Sequence, residues 1–204
     1  ASLTSRFFGF EEGQTALICL SPDYIAGKMM LVRALENNLQ VVLTKPENPL
    51  EYPDEIHIDF AAMVPLQVEK CLNEQPQKVA KIGAIIIGGA AIHSSLEKKL
   101  IEYNVNAYAT FGMTETTSHI ALRRISKNIS PYVAIGNTTF SVGSENQLII
   151  HAPDLSIEKL ETNDIVELID SLSFHWKGRK DFVINSGGIK FFPEQIERKI
   201  EALN

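Results

Sequence analysis

Short apolar runs rich in β-branched residues recur through the first half of the chain and alternate with segments whose apolar positions return every three to four residues. This alternation predicts parallel strands joined by crossover helices. Strands are expected over residues 16–20, 40–43, 83–87 and 106–111. Ser21 followed by Pro22 has the form of an N-cap and a first helical residue. It predicts a helix running to Glu36 with Ile25, Met29, Val32 and Leu35 on its inward face, ended by Asn37 and Asn38. The capping-box pattern Ser94-Ser95-Leu96-Glu97 opens a second helix with Leu96, Leu100 and Ile101 inward. A third helix is expected over 61–73. From about residue 130 the pattern changes to short strands over 133–136, 147–150 and 164–169, separated by polar or glycine-containing loops. The expected fold class is therefore α/β: parallel strands with crossover helices, followed by a small antiparallel β region. Residues 45–53 hold three prolines among polar neighbours and read as an exposed connection.

Composition narrows the partners. The 204 residues are 45% hydrophobic, enough for one ordinary core, and the formal charge is −6. Basic residues are scattered, which argues against a nucleic-acid surface. The adjacent pair Arg123-Arg124 reads as a solvated strand end. Cys19 and Cys71 sit in apolar segments without metal-ligand spacing, as buried small hydrophobes do in a reducing compartment, and no disulfide is expected. No apolar run approaches the roughly 20 residues of a membrane span, and the first residues lack a basic start followed by an apolar stretch. The expected location is cytoplasmic. The opening Ala1-Ser2-Leu3-Thr4 has no initiator Met and reads like the middle of a helix, as in a segment of a longer chain.

Two loops carry candidate chemistry. After Ile85-Ile86-Ile87 come Gly88, Gly89 and Ala90, where missing side chains let backbone approach a flat ligand such as a purine, or simply form a turn. The run Ala109-Thr110-Phe111-Gly112-Met113-Thr114-Glu115-Thr116-Thr117 delivers Gly112 to a tight turn. There Thr114 can offer a hydroxyl to a phosphate oxygen and Glu115 a carboxylate to magnesium, a hard cation that prefers oxygen. A capped turn, with Thr and Glu satisfying backbone donors, is the alternative.

Order and spacing join these loops to two later elements, Thr162-Asn163-Asp164 and Gly178-Arg179-Lys180-Asp181, the last opening a run that continues through Gly187 and Gly188 to Glu197. Taken in this order, the four elements resemble the acyl-adenylate-forming superfamily of acid–CoA ligases, luciferases and adenylation domains. The resemblance covers nearly the whole chain. It implies that Gly88, Gly89, Ala90, Phe111, Gly112, Met113 and Thr114 surround ATP or AMP, that Asp164 and Arg179 hold the ribose, and that Thr114 and Glu115 are catalytic, with Glu115 on Mg2+. Gly187 and Gly188 then lie by the thiol of coenzyme A, and Asp181 is the hinge pivot. The domain organisation implied is residues 1–177 in a large adenylate-binding domain, 178–181 as hinge, and 182–204 opening a small mobile domain. Phe111 stands where the family usually has Tyr, which keeps ring stacking and loses a phenol contact. Asn163 replaces the usual turn glycine.

The implied reaction has two halves: a carboxylate attacks the α-phosphate of ATP to give acyl-AMP and pyrophosphate, and the coenzyme A thiolate then displaces AMP. The family's Ser/Thr/Gly-rich phosphate loop and its small-domain lysine do not occur in these 204 residues, so the segment alone is expected to be inactive. Around Ser21–Lys28 and Thr117-Ser118-His119-Ile120 the chain looks most like the o-succinylbenzoate–CoA ligases of menaquinone synthesis. The candidate acid-binding residues are Tyr24, Lys28, Thr117 and His119, since the second carboxylate of that acid needs a cation or donors. Lys28 is equally readable as a surface lysine and His119 as a satisfied core histidine. A fatty-acid or aryl-acid CoA ligase is the second reading, and a non-catalytic nucleotide-binding or scaffold module the third. Oligomerisation is compatible with all of them.

Overall fold

Strands β1 (Thr15–Ile18), β2 (Gln40–Leu43), β3 (Phe60–Met63), β4 (Ala84–Ile87) and β5 (Ala107–Gly112) run parallel in the order β2-β1-β3-β4-β5. The computed structural model describes residues 1–186, 189–193, 196, 197 and 200. Alternate residues of each strand enter different cores, because successive side chains point to opposite faces. Leu17, Ala61, Met63, Ile85, Ile87 and Ala107 meet helices α3 (Pro65–Glu74), α4 (Pro76–Ala80) and α5 (Ser94–Glu102) through Val68, Cys71, Leu72, Val79, Leu96 and Leu100. Ala16, Ile18, Phe60, Ala62, Ala84 and Ile86 meet α1 (Ser2–Phe8) and α2 (Ile25–Glu36) through Leu3, Phe8 and Met30. Strand order explains this division. From β1 the chain crosses outward to β2, then returns past β1 to β3, and right-handed crossovers in opposite directions place their helices on opposite faces. The reversal lies between β1 and β3, where the carboxyl ends of such sheets form a ligand crevice.

Beyond β5 the same sheet turns antiparallel and continues as β6 (His119–Arg124), β7 (Tyr132–Ala134), β11 (Ser173–Arg179), β10 (Ile157–Asp170), β9 (Gln147–Ala152) and β8 (Thr139–Val142). A third core fills this half: Ile120, Phe140, Leu148, Ile150, Val166 and Phe174. Phe174 is fully buried, and its ring contacts Phe111, Tyr132 and Phe140 at centroid distances of 5.2, 5.5 and 4.9 Å. After a single 3-10 turn at Lys180–Phe182, β12 (Ile184–Ser186) and β13 (Ile189–Phe191) pair as a separate two-stranded sheet.

The mixed α/β class holds, and several local expectations are revised. The third helix begins at Pro65, not Ala61, because Phe60–Met63 form the central strand β3. Two alanines in that strand remove the β-branched signature, and Pro65 at the first helical position sets the boundary. Helix α2 starts at Ile25 rather than Pro22, since Ser21 is used in a turn: its hydroxyl accepts the Asp23 N–H and donates to the Asp23 carboxylate. Its buried face is also different. Gly27, Met30, Arg33 and Ala34 face inward, whereas Ile25, Val32 and Leu35 are exposed. A Cβ on Gly27 would come within 2.2 Å of the Ser21 carbonyl oxygen, so close approach of helix and turn requires glycine there. In α5, His93 is the N-cap, while Glu97 of the expected capping box pairs with Arg123 of β6. Arg123 is therefore largely buried rather than solvated. Strands β6, β8 and β11 were not legible as separate elements. Cys19 and Cys71 are buried free thiols, and burial pushes them up to about 12 and about 11.

Candidate active site

All five parallel strands end at one edge of the sheet, and the two candidate loops leave from neighbouring strands at that edge. Gly88 to Ala90 follow β4, and Phe111 and Gly112 end β5, which extends past β4 by three residues. The loops touch: Thr110 donates its hydroxyl to the Ile87 carbonyl at 3.3 Å, and a Cβ on Gly88 would lie 2.3 Å from that hydroxyl. Gly89 has φ +84°, a conformation that favours glycine. Phe111 is half-buried, its ring against those of Tyr132 and Phe174.

Met113 to Ser118 form the hairpin that turns the sheet from parallel to antiparallel. Gly112 faces His119 across it, and a Cβ there would fall 2.4 Å from the Ser118 carbonyl and 2.6 Å from the His119 Cα. Close backbone packing, as much as any ligand, thus demands Gly112. Thr116, not singled out from sequence, shapes the loop. It is buried; its hydroxyl oxygen accepts the Met113 N–H at 2.9 Å and lies 3.0 and 2.8 Å from the Met113 and Ser118 carbonyls. Its neighbours Thr114, Glu115 and Thr117 are left exposed, and Thr117 adopts φ +61°, unusual for a β-branched residue. The capped-turn alternative is met by Thr116, one residue beyond the pair that carries candidate chemistry.

The antiparallel half supplies side chains from strand faces. Between Ile165 and Val166 the register with β11 shifts, so that Lys177 is the extra residue of a bulge and Asp164 stands directly opposite Arg179. Asp164 is 7% exposed; its N–H bonds the Thr162 hydroxyl at 3.1 Å, and its Oδ1 accepts the Trp176 indole N–H at 2.8 Å. Arg179 reaches Asp181 at 2.8 Å, and the Asn163 amide also donates to Asp181, at 3.2 and 3.3 Å. Gly187 and Gly188 lie outside the described residues.

The acid-binding candidates separate. Tyr24 and Lys28 are exposed on the first turns of α2. His119 lies deeper; its Nε2 is 3.0 Å from the Thr4 hydroxyl, and burial, then the nearby Arg33 charge and the amino terminus, push its pKa down to about 3. The ring is neutral at ordinary pH. Arg33 is the residue that sequence reasoning missed. It is 2% exposed, its Nη1 approaches only the Met30 sulfur at 3.5 Å, and its Nε has no hydrogen-bond partner among the described residues. Burial alone lowers it to about 10, so it remains charged. The signal available in sequence was an arginine on the apolar side of a helix, which only the true inward face of α2 reveals.

Cavities are also present among the described residues. One of about 440 Å³ is lined by Tyr52, Asp54, His57, Gln75 and Lys78, around the amino ends of β3 and β4 and away from the loops. Another, about 550 Å³, runs from Ala91, just past the glycine loop, to Arg123, Tyr132 and Trp176. No group of three metal-ligating side chains occurs among the described residues. Glu115 alone still suits magnesium, which keeps several waters and is bound by one or two carboxylates together with substrate phosphates.

Comparison with known proteins matches residues 1–146 to the family model described as AMP-binding enzyme. The chain belongs to this family. Among curated relatives, the 2-succinylbenzoate–CoA ligase of Staphylococcus epidermidis is 24% identical over 93% of this chain and 46% of its own length. The ligase of the same name from Haemophilus influenzae is 23% identical over 94% and 45%. An acyl-CoA synthetase (AMP-forming)/AMP-acid ligase II-like protein from Dyadobacter fermentans has a solved structure that superposes with TM-score 0.82 at 35% identity, covering 99% of this chain and 59% of that one. The o-succinylbenzoate coenzyme A synthetase of Bacillus subtilis in complex with AMP shares the fold, with TM-score 0.81 at 17% identity over 96% and 47%. The chain spans about half the length of the curated relatives it matches. No helix among the described residues is long and apolar enough to cross a membrane.

Proposed function

We propose that this chain carries the adenylate-binding part of an AMP-forming acid–CoA ligase acting on an aromatic acid with a second carboxylate, o-succinylbenzoate being the favoured substrate. The observation behind the nucleotide assignment is the pair of loops that leave neighbouring strand ends, Gly88 to Ala90 and the Phe111–Glu115 hairpin, together with the cavity that runs from Ala91 to Trp176, whose indole holds Asp164. The resemblance assigns adenine to the glycine backbone and the Phe111 ring. Ribose hydroxyls suit a carboxylate acceptor with an arginine donor opposite. Thr114 and Glu115 stand exposed where phosphate and its metal arrive. Glu115 would hold Mg2+, which would offset charge developing at the α-phosphate as the adenylyl group transfers. Asp181 is the pivot between the larger and smaller domains, with coenzyme A approaching by Gly187 and Gly188.

The choice of acid rests on Arg33. A buried guanidinium with an unsatisfied Nε is costly unless an anion accompanies it. His119, neutral beside it, adds a hydrogen-bonding group without a competing charge. Arg33 therefore takes the role first assigned to Lys28.

Calorimetric titration of the 204-residue chain tests both parts. AMP should bind, Asp164→Asn should weaken it about tenfold, in line with the ~1.5–3 kcal/mol of a hydrogen bond to a charged group, and the chain should show no ATP–pyrophosphate exchange. Absence of AMP binding, or exchange by these residues alone, overturns the corresponding statement. o-Succinylbenzoyl-AMP should bind wild type better than Arg33→Met, while benzoyl-AMP should bind both alike. Equal losses for the two adenylates would remove the second-carboxylate assignment.

A further inference from the structure

We propose that Trp176 is a positioning residue for nucleotide recognition, orienting the Asp164 carboxylate toward the ribose through its indole N–H. This deepens the nucleotide assignment and rests on it. The neighbouring motifs do not mark Trp176, which sits three residues before Arg179 on β11.

The geometry is specific. Trp176 pairs with Val166 in the β10–β11 ladder, and Asp164 stands two residues from Val166 on the same face, at a diagonal position that a long side chain reaches. The indole N–H meets Asp164 Oδ1 at 2.8 Å. An indole donates only, so the contact fixes which element is donor and which acceptor. A carboxylate has about four acceptor sites, and a donor on one oxygen sets the carboxylate plane. Holding such a group at the productive angle removes reorganisation at binding. The Asp164 N–H is pinned as well, by the Thr162 hydroxyl, which itself donates to the Leu148 carbonyl at 2.9 Å. The register shift at Lys177 places Arg179 opposite the same carboxylate. The body of the indole packs against the third core, as Phe111 and Met113 also do. A phenylalanine here would keep the packing and lose the donor.

Binding of ATP and 2′,3′-dideoxy-ATP to the 204-residue chain, measured by calorimetry, separates positioning from packing. Wild type should prefer ATP, and Asp164→Asn should erase the preference. Trp176→Phe should weaken ATP five- to tenfold and dideoxy-ATP less than twofold, and Trp176→His, whose ring can donate, should recover part of the preference. Equal weakening of both nucleotides by Trp176→Phe, or a fully retained preference, overturns the inference. If wild type binds ATP without distinguishing the dideoxy form, the ribose assignment of Asp164 fails first and takes the inference with it. Trp176 is the sole tryptophan, so its emission gives a reading on unaltered protein: a shift with ATP and not with dideoxy-ATP supports the contact, and identical responses count against it.

Discussion

The parallel and antiparallel halves of the sheet bring different materials to the proposed site. The parallel half works through backbone at strand ends: Gly88 to Ala90, Gly112, and a hairpin braced by Thr116. The antiparallel half works through side chains on a strand face, where Trp176 lies diagonal to Asp164 and the register shift at Lys177 brings Arg179 opposite it. A strand-end loop is local and leaves a motif in the chain. A register is a relation between distant residues and leaves none.

The largest test asks whether the antiparallel half is integral to the fold. Phe174→Ala removes a fully buried ring that touches three others, and should cost about 3–5 kcal/mol in urea unfolding. A loss below about 1 kcal/mol would mean that the two halves unfold separately.

His119 stands at the junction of the halves, and its titration is the next test. Its pKa is about 3 in the folded chain against an ordinary 6.5. The unfolded chain therefore binds the extra proton, and this contribution to stability is full above pH 6.5 and lost as pH falls from there toward 3. The slope is at most ~1.4 kcal/mol per pH unit. Urea midpoints at pH 7, 6 and 5 should fall accordingly, and His119→Gln should flatten that part of the profile. An unchanged profile in the variant would mean that the ring is solvated.

Two glycine substitutions contrast the halves directly. Gly112→Ala puts a methyl 2.4 Å from a backbone oxygen and should cost about 1–3 kcal/mol. Gly143→Ala, in the antiparallel half, meets only the flexible Gln147 side chain at 3.0 Å and should cost distinctly less in the same thermal unfolding assay. Equal costs would erase the distinction between rigid strand ends and yielding turns. The smallest effect belongs to Lys28→Ala. An exposed lysine away from the core should change stability by less than ~0.5 kcal/mol and leave binding of o-succinylbenzoyl-AMP as it was. A selective loss for that adenylate would return the second-carboxylate role from Arg33 to Lys28.

Legibility followed the same division. Strands β1, β2, β4 and β5 are readable from short runs of apolar residues with β-branched or aromatic members, within a residue or two at their ends. β3 is not, because Ala61 and Ala62 carry no such mark. The glycine loop and the Phe111–Glu115 hairpin were visible as spaced motifs, while Thr116 was hidden among four threonines that differ only in where they point. On α2 the apolar stripe was read on the wrong side. Helical spacing defines faces, but which face is buried depends on what packs there, and Arg33 went unnoticed for that reason.

The order of motifs along the chain is sufficient by itself to establish the family and the mixed α/β class, because each motif is a few contiguous residues with local requirements. Tertiary structure alone decides that Arg33 is buried beside a neutral His119, that Arg179 faces Asp164, and that Trp176 donates to that carboxylate. These are non-local relations of burial and register, set by packing among elements that no stretch of sequence contains.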